Sequence, residues 1–354
     1  MTGRHRHGLV IGKFYPVHAG HLALVRTALA RCERVTVQVL GSTAESLPVA
    51  TRAAWLRAEL PGARVVTAVD DTPVDYADPV AWDAHVALMR GLLDAPVDAV
   101  LTSDGYGAEL ARRLDAAWVQ VDPGRVAVPV SGSAVRADPG RYWWALPAEV
   151  RAWFARRVVV LGAESTGTTT LAAALARHHG LEPVLEFGRE WSAERPGGLT
   201  APWHTAEFDL IAREQARRED DAARTTPVPL VVCDTDVLAT TLWHERYTGS
   251  RSPSVERLAA GRVPDLYLLT GDEIPFVQDG MRDGEHVRHA MQDRFREVLA
   301  AQAAAGGAPW HELRGAPDER LRGAVDLVAP LLATPRPLAE PMPQRGREVY
   351  GDVR

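Results

Sequence analysis

The chain has 354 residues, a length that suggests two domains. Hydrophobic residues make up 46% and charged residues 24%, as in ordinary globular proteins. The net charge of −6, with scattered arginines, carries no global basic footprint and excludes a general nucleic-acid binder. Cys32 and Cys233 fall in different predicted domains, which argues against a disulfide framework and for a reducing, cytoplasmic compartment. No apolar run reaches the length of a membrane span, so no membrane partner is expected. The opening MTGRHRHGLVIG lacks the apolar centre of a signal peptide.

The first predicted element is an apolar strand over Leu9, Val10 and Ile11. GKFYPVHAGH, Gly12 to His21, follows it directly, and a helical pattern with Leu22, Val25 and Leu29 on one face comes next. His18 and His21 thus stand at a strand-to-helix junction, where free backbone N–H groups and the positive end of a helix dipole favour a phosphate. Two imidazoles there can donate hydrogen bonds to phosphate oxygens and stabilise charge as it builds. An HxxH pair also fits a metal site, with His5 and His7 nearby, but no Cys, Asp or Glu lies close in sequence to complete a zinc set. A plain helix cap is the third reading.

Strand and helix patterns then alternate. Arg34–Leu40 is a strand with Val35, Val37 and Val39 on one face, and Thr51–Leu60 a helix ended by Pro61-Gly62. Arg64–Val69 is a short strand. Pro79–Leu93 is a helix carrying Val80, Val86, Leu88 and Leu92 among its apolar residues. Ala99–Thr102 and Trp118–Val121 are strands separated by a helix over Gly107–Leu114. The series ends in SGSAVR, Ser131 to Arg136, at the start of a further helix, where the Arg136 guanidinium fork suits a phosphate. Regular alternation predicts a parallel, doubly wound α/β sheet, with ligands beyond the C-terminal strand ends. Gly12–His21 lies at such an end.

Arg141–Arg157 reads as an amphipathic helical connector rich in tryptophan (Trp143, Trp144, Trp153), and a second series opens at strand Arg157–Leu161. GAESTGTTTL follows it, Gly162 to Leu171. This is the G-x-x-x-x-G-K-[ST] layout with Thr168 at the lysine position. Gly162 and Gly167 let the backbone wrap a phosphate, and Thr169 holds the hydroxyl position that serves Mg²⁺. Losing the lysine's charge-assisted contact costs about 1.5–3 kcal/mol unless another cation replaces it. Arg282 and Arg288 are the candidates. The segment Pro275–Asp283 reads either as a lid over ATP or as a solvated loop.

Further strands are predicted at Val184–Phe187, Leu230–Cys233 and Asp265–Leu269. Asp234 and Asp236 follow the second of these and can position Mg²⁺, directly or through water. Glu186 or Glu190, after the first, can accept a substrate hydroxyl proton or bind ribose hydroxyls, and either carboxylate pair can instead cap helices. Residues from about Pro335 onward, with four prolines and no apolar period, read as a flexible tail. The domains are therefore expected at 1–155 and 156–334, with a tail over 335–354.

GKFYPVHAGH resembles the HxGH signature of the nucleotidylyltransferase superfamily, in the form found in the adenylyltransferase half of NadR-type proteins. SGSAVR, some 110 residues downstream, resembles that family's ISGTxIR element. The P-loop, EFGREW, the DTD element and VQDGMR resemble the ribosylnicotinamide kinase half. Together these resemblances cover roughly residues 8–330. The fold they imply is a Rossmann-like nucleotidylyltransferase domain followed by a P-loop kinase domain. The activities they imply are phosphorylation of ribosylnicotinamide by ATP and adenylyl transfer from ATP to nicotinamide mononucleotide, giving NAD and pyrophosphate, with Mg²⁺.

The resemblance implies catalytic roles for His18, His21 and Arg136, and for Glu186 and Asp236 in the kinase half. ATP would be held by Gly12, Lys13, Phe14, Ser131 and Ser133 at the first site. At the second, Gly162, Glu164, Ser165, Thr166, Gly167, Thr168, Thr169, Thr170, Arg282 and Arg288 would hold it. Trp82, Asp104, Tyr106 and Arg189 would contact substrate, and Thr169 and Asp234 the metal. A homo-oligomer is compatible with the sequence. Some members carry an N-terminal helix-turn-helix repressor domain, and this chain, starting almost at its first strand, is expected to lack one. The rival functions are an adenylyltransferase with a degenerate P-loop domain, another nucleotidyl transfer such as pantetheine phosphate adenylylation, and a nucleotide-sensing DNA regulator.

Overall fold

A computed structural model describes residues 4–198, 200–278 and 284–350. Contacts divide the chain into two units, Met1–Val150 with Pro335–Arg354, and Arg151–Thr334.

The first unit opens with β1 (His5–Gly12), α1 (Ala19–Arg31), β2 (Cys32–Gly41), α2 (Val49–Glu59), β3 (Arg64–Val69) and a short β4 (Val74–Asp75). It continues with α3 (Pro79–Gly91), β5 (Ala99–Thr102), α4 (Gly107–Leu114), β6 (Ala117–Gln120) and α5 (Gly132–Ala137). Its main sheet has the order β3-β2-β1-β5-β6 with every neighbour parallel. The central β1 is covered on both faces, and Leu9 and Val10 are fully buried. Val35, Val37 and Val39 are buried as their alternation predicts. Leu22, Val25 and Ala28 bury the inner face of α1. Each fully buried Leu or Val side chain among these contributes about 1.5–3 kcal/mol. The strand order reverses between β1 and β5, so the crevice beyond their C-terminal ends is the switch point where doubly wound sheets bind ligands.

The second unit starts within α6 (Ala148–Phe154) and runs through β7 (Arg156–Leu161), α7 (Thr168–His178), α8 (Phe187–Glu194), α9 (Thr205–Thr225) and β8 (Leu230–Asp234). It closes with α10 (Val237–Thr248), α11 (Pro253–Ala260), β9 (Leu266–Thr270), α12 (Arg288–Ala304), β10 (Trp310–Leu313) and α13 (Pro317–Ala333). The sheet order is β10-β9-β7-β8, again all parallel. Leu171 and Leu175 of α7 and Ala324 and Val328 of α13 pack on the strand side chains Val158, Val160, Val232 and Leu268. The P-loop leaves the central β7 at this sheet's own reversal point.

Four expectations need correction. Val184–Phe187 is not a strand. Only Val184 bridges to Cys233, Leu185 faces solvent, and Phe187 already begins α8. The Arg141–Arg157 connector is two pieces, a tight turn at Trp143–Ala145 and then α6, because Pro147 disfavours helix at the residue before it. Trp143 is buried while Trp144 is exposed. Val80 of α3 is also solvent-facing, and Trp82, Val86 and Met89 carry that helix's buried stripe.

The fourth correction concerns the C-terminal segment. Its described residues join the first unit as an ordered strap, with β11 (Gln344–Arg345) pairing parallel to β4 and the Tyr350 ring set edge-on to Tyr76 and Trp82. Proline-rich chain still forms edge contacts through carbonyls and ring stacking, which need no apolar period. Among the described residues no helix is long and apolar enough to cross a membrane.

Candidate active sites

A cavity of about 670 Å³ opens at the reversal point of the first sheet. His18 is the N-cap of α1 in extended conformation, and its carbonyl accepts from His21 N at 2.9 Å. The two imidazoles stack with centroids 3.7 Å apart, and the Phe14 ring lies 4.8 Å from that of His21. Burial holds His21 down at about 3, helped by the nearby Arg125 charge. Burial, then His21 and Arg125, holds His18 well below the usual imidazole range. Both rings are therefore neutral at physiological pH, and each has a buried Nδ1 without a hydrogen-bond partner. His7 sits at the start of β1, bonded to Thr36 and Pro96, and the HxxH pair lies beyond the other end of that strand.

The two distant motifs meet at the glycine of SGSAVR. A Cβ on Gly132 would lie 2.9 Å from the Tyr15 carbonyl oxygen, so only glycine permits the approach. Ser131 caps α5 by accepting from Ala134 N, and its hydroxyl is 3.2 Å from that of Ser133. Arg136 then donates to the Tyr15 carbonyl at 2.8 Å and lies over the Tyr15 ring, its Nε buried and unpartnered. Lys13 lines the cavity at 3.2 Å from the buried Glu45, which also binds Arg52 at 2.8 Å, and Arg52 donates to the Lys13 carbonyl.

Asp104 and Tyr106 line the cavity as expected from their strand-end position. Asp104 pairs with Arg125 at 2.9 Å, and Tyr106 stacks on Tyr76 at 5.6 Å. Trp82 also lines it, but as a core residue. It is 6% exposed, it donates Nε1–H to the Tyr76 carbonyl, and Tyr76 and Tyr350 pack edge-on against it. Tyr76 and Tyr106, both less buried, are the accessible rings. Sequence reasoning missed Arg125, Glu45, Arg52, Tyr76 and the Asp70–His85 pair (2.6 Å), all of which sit on loops or helices outside the motifs. The left-handed conformations at Asp122, Gly124 and Arg125 mark the turn that carries Arg125, and PGR at 123–125 was its faint signal.

The second cavity, of about 170 Å³, is lined by the P-loop. A Cβ on Gly162 would lie 2.3 Å from the Thr166 hydroxyl and 2.4 Å from that of Thr270, so the loop closes only on glycine. Gly167, at φ +87, turns the chain into α7. Thr166 is fully buried and bonds to the Ala163 carbonyl and to Thr270. Gln292, unnoticed in the sequence, bridges Ala163 N–H and the Thr270 carbonyl. The loop's arginines bind its outer atoms: Arg320 donates to the Thr166 carbonyl, Arg246 to Glu164, and Arg288 to the Ser165 carbonyl at 3.1 Å. Arg288 keeps a buried, unpartnered Nε. Val277 N–H donates to Ser165 Oγ and Gly284 N–H to Glu164. The residues of the expected lid from 279 to 283, Arg282 with them, lie outside the described residues.

Burial pushes the Asp234 carboxyl up, against the pull of the nearby Thr169 and Thr168 hydroxyls. Thr170, next on α7, is exposed. Glu186 and Arg189 line the cavity. Burial, then the charges of Asp234 and Glu164, raise the Glu186 carboxyl to about 7 against the pull of Arg189. Glu190 instead pairs with Arg218 on the helix surface. Asp236 is not a catalytic candidate. One of its oxygens caps α10 by accepting from Ala239 N, and the other accepts from Tyr267, so both are committed to the fold. Four aromatic walls went unpredicted: Trp203, Phe208, Trp243 and Tyr247. Among the described residues no three His, Cys, Asp or Glu side chains gather as a metal cage.

The AAA domain family model matches residues 157–320. The trifunctional NAD biosynthesis/regulator protein NadR of Salmonella typhimurium is 27% identical over 314 residues, 82% of this chain and 76% of that protein. The protein of the same name from Escherichia coli is 28% identical over the same shares. A crystal structure of NadR with NR shares the fold at a TM-score of 0.71 and 19% identity, covering 94% of this chain and 98% of that one. A second, with NAD and AMP-PNP, also matches at 0.71, with 20% identity over 94% and 97%. By sequence along 314 residues the chain is similar to NadR, and along nearly all of its length it shares the fold of the NadR crystal structures.

Proposed function

We propose that this is a cytoplasmic enzyme of NAD salvage. In this reading the first site transfers the adenylyl group of ATP to nicotinamide mononucleotide. The second phosphorylates ribosylnicotinamide with ATP to make that mononucleotide. The observation that carries the reading is the meeting of the two motifs, which brings Arg136 into the same cavity as a pair of neutral histidines at a helix N-terminus. Related crystal structures hold NR in one case, and NAD with an ATP analogue in the other.

In the first reaction a phosphate oxygen of the mononucleotide attacks the α-phosphorus of ATP, and the bond to pyrophosphate breaks. No protein nucleophile takes part. The chain supplies position and charge stabilisation. Neutral His18 and His21 donate N–H to the triphosphate, His21 nearest the developing charge. Arg136, Arg125 and Lys13 add positive charge around it, and Ser131, Ser133, Gly12 and Phe14 shape the nucleotide cradle. The pyridine ring has Tyr76 and Tyr106 to stack against.

In the second reaction Glu186, with its carboxyl near 7, accepts the proton of the riboside hydroxyl, and Arg189 orients that group. The loop N–H groups cradle the ATP phosphates. Thr169 and Asp234, near each other beside the P-loop, would hold Mg²⁺, which uses few protein ligands plus substrate phosphates and neutralises phosphate charge when bound. Trp203, Trp243 and Tyr247 offer faces to the pyridine ring. Arg288, in place of the P-loop lysine, supplies the cation.

Thr168 favours one other reading, an adenylyltransferase whose second domain only binds nucleotide. One incubation with ATP, Mg²⁺ and ribosylnicotinamide, following mononucleotide and NAD separately, decides between them. The proposal expects both products. NAD from supplied mononucleotide but none from the riboside would establish the alternative. Failure with mononucleotide would refute adenylyl transfer to it.

A further inference from the structure

The strap formed by residues 339–350 follows the whole second unit in sequence, yet it forms a wall of the first cavity. Glu340, Pro341, Met342, Pro343 and Gln344 line that cavity alongside Lys13, His18 and Arg136. Its seat is specific. Tyr15, within the HxGH loop, donates its hydroxyl proton to the Ala339 carbonyl at 2.9 Å, and Ala339 N–H donates to Ser46 Oγ at 3.0 Å. Farther on, β11 pairs with β4, and Tyr76 N–H donates to the Arg345 carbonyl. Between these two anchors the chain passes Arg136. The Glu340 carboxylate lies 3.8 Å from that guanidinium, with its own side chain 87% exposed.

Arg136 is therefore held firmly on one side and loosely on the other. Its Nη1 is fixed to the Tyr15 carbonyl and its plane lies over the Tyr15 ring, while among the described residues Nη2 meets only the distant, solvated Glu340 carboxylate and Nε has no partner. A bidentate guanidinium prefers two oxygens of one anion, and a triphosphate offers them where a single carboxylate at 3.8 Å does not.

We propose that this strap is a working part of the adenylyl-transfer site, and that Glu340 is a positioning residue. It holds Arg136 in the empty site and gives way to the triphosphate of an arriving nucleoside triphosphate. The apolar run Pro341–Pro343 stays as a cavity wall. The proposal rests on the first site's assignment to adenylyl transfer. It adds that residues beyond the kinase-like unit determine how tightly that site binds its substrates.

Full-length Glu340→Ala and Gly346→Val test it with steady-state kinetics for ATP and for the mononucleotide. The first removes the competing carboxylate, and it leaves the fold alone because the side chain is exposed. KM for ATP then falls about two- to fivefold with kcat unchanged, the scale of an exposed ion pair. Glu340→Gln behaves in the same way. The second places a β-branched residue at φ +69, with its Cβ 2.9 Å from Ala77 N, and unseats β11. KM for both adenylyl-transfer substrates then rises, while phosphorylation of the riboside keeps its rate. An unchanged or higher KM for ATP in Glu340→Ala overturns the role of Glu340. Unchanged constants in Gly346→Val, with β11 released as judged by faster hydrogen exchange at Arg345, overturn the strap as a site element. Wild-type protein with no adenylyl transfer at all refutes the assignment of the site, and this proposal with it.

Discussion

The two nucleotide sites meet the same electrostatic problem with different materials. Around the first cavity, three cationic side chains (Lys13, Arg125 and Arg136) line the space beside two neutral imidazoles. Around the second, among the described residues, Arg189 alone does so. Arg246 and Arg320 are spent on Glu164 and on a loop carbonyl, and Arg288 reaches the loop from behind, on the Ser165 carbonyl, with its Nε left over. The first site thus lines its cavity with charge, whereas the second relies on backbone N–H groups, a rigid loop and, in the reading above, Arg288 alone in place of the lysine. That makes the missing lysine at Thr168 consequential, and it predicts that the two sites fail in different ways.

The sharpest break comes from the catalytic groups. Replacing Glu186 by Gln lowers the riboside phosphorylation rate by about 10²–10⁴, the usual contribution of a general base, and leaves adenylyl transfer intact. With the wild-type residue, phosphorylation falls as the pH drops below about 7, because the raised carboxyl protonates there. A pH profile flat from 6 to 8 would remove Glu186 from that role. His21→Ala acts in the other direction, lowering adenylyl transfer by about 10²–10³ through a lost donor to the transition state while sparing the kinase.

A smaller effect probes the lysine itself. Arg288→Met weakens MgATP binding at the P-loop by about tenfold, the loss of one charge-assisted contact. Adding Thr168→Lys in that background restores it if Arg288 supplies the missing cation. If Arg288 merely props the Ser165 carbonyl, the lysine does not rescue, and titration of MgATP into both variants separates the two outcomes.

The weakest effect is on stability, and here the units have opposite signs. His18 and His21 have folded values below the unfolded one. Their contribution is present above pH 6.5 and is lost as the pH falls toward about 3 for His21. Burial raises Glu186 and Glu219 to about 7, so their contribution is present below about 4.5 and is lost as the pH rises through 7. His179, lowered by burial, offsets part of this in the second unit. Between pH 6.5 and 4.5 the first unit should lose protection from hydrogen exchange relative to the second. Parallel changes in both would contradict this account.

The sequence carried the parts of this molecule that depend on local pattern. The parallel strands of both sheets follow from valine-rich runs, as at Val35–Val39 and Val158–Leu161, the first loop from its paired histidines, and the second from glycine and hydroxyl residues at fixed spacing. The parts set by long-range contact were not legible. Nothing near Glu45 announces that it will sit under Lys13, and Gln292 reaches the P-loop from a helix more than a hundred residues away. Asp236 and Glu186 each follow a β-type run in the sequence, and only the fold separates a helix cap bonded to Tyr267 from a carboxylate in a cavity. The proline-rich C-terminus misled for the same reason. Its order comes from partners in the first unit, and its own composition gives no sign of them.

The most direct test of the central claim pairs two variants in a single assay with ATP, Mg²⁺ and ribosylnicotinamide, reading mononucleotide and NAD. His21→Ala should accumulate mononucleotide and make almost no NAD. Thr169→Ala should make neither from the riboside, yet it should form NAD at the wild-type rate when mononucleotide is supplied. NAD formation that survives His21→Ala, or that is lost from supplied mononucleotide in Thr169→Ala, would contradict the account of two separate sites.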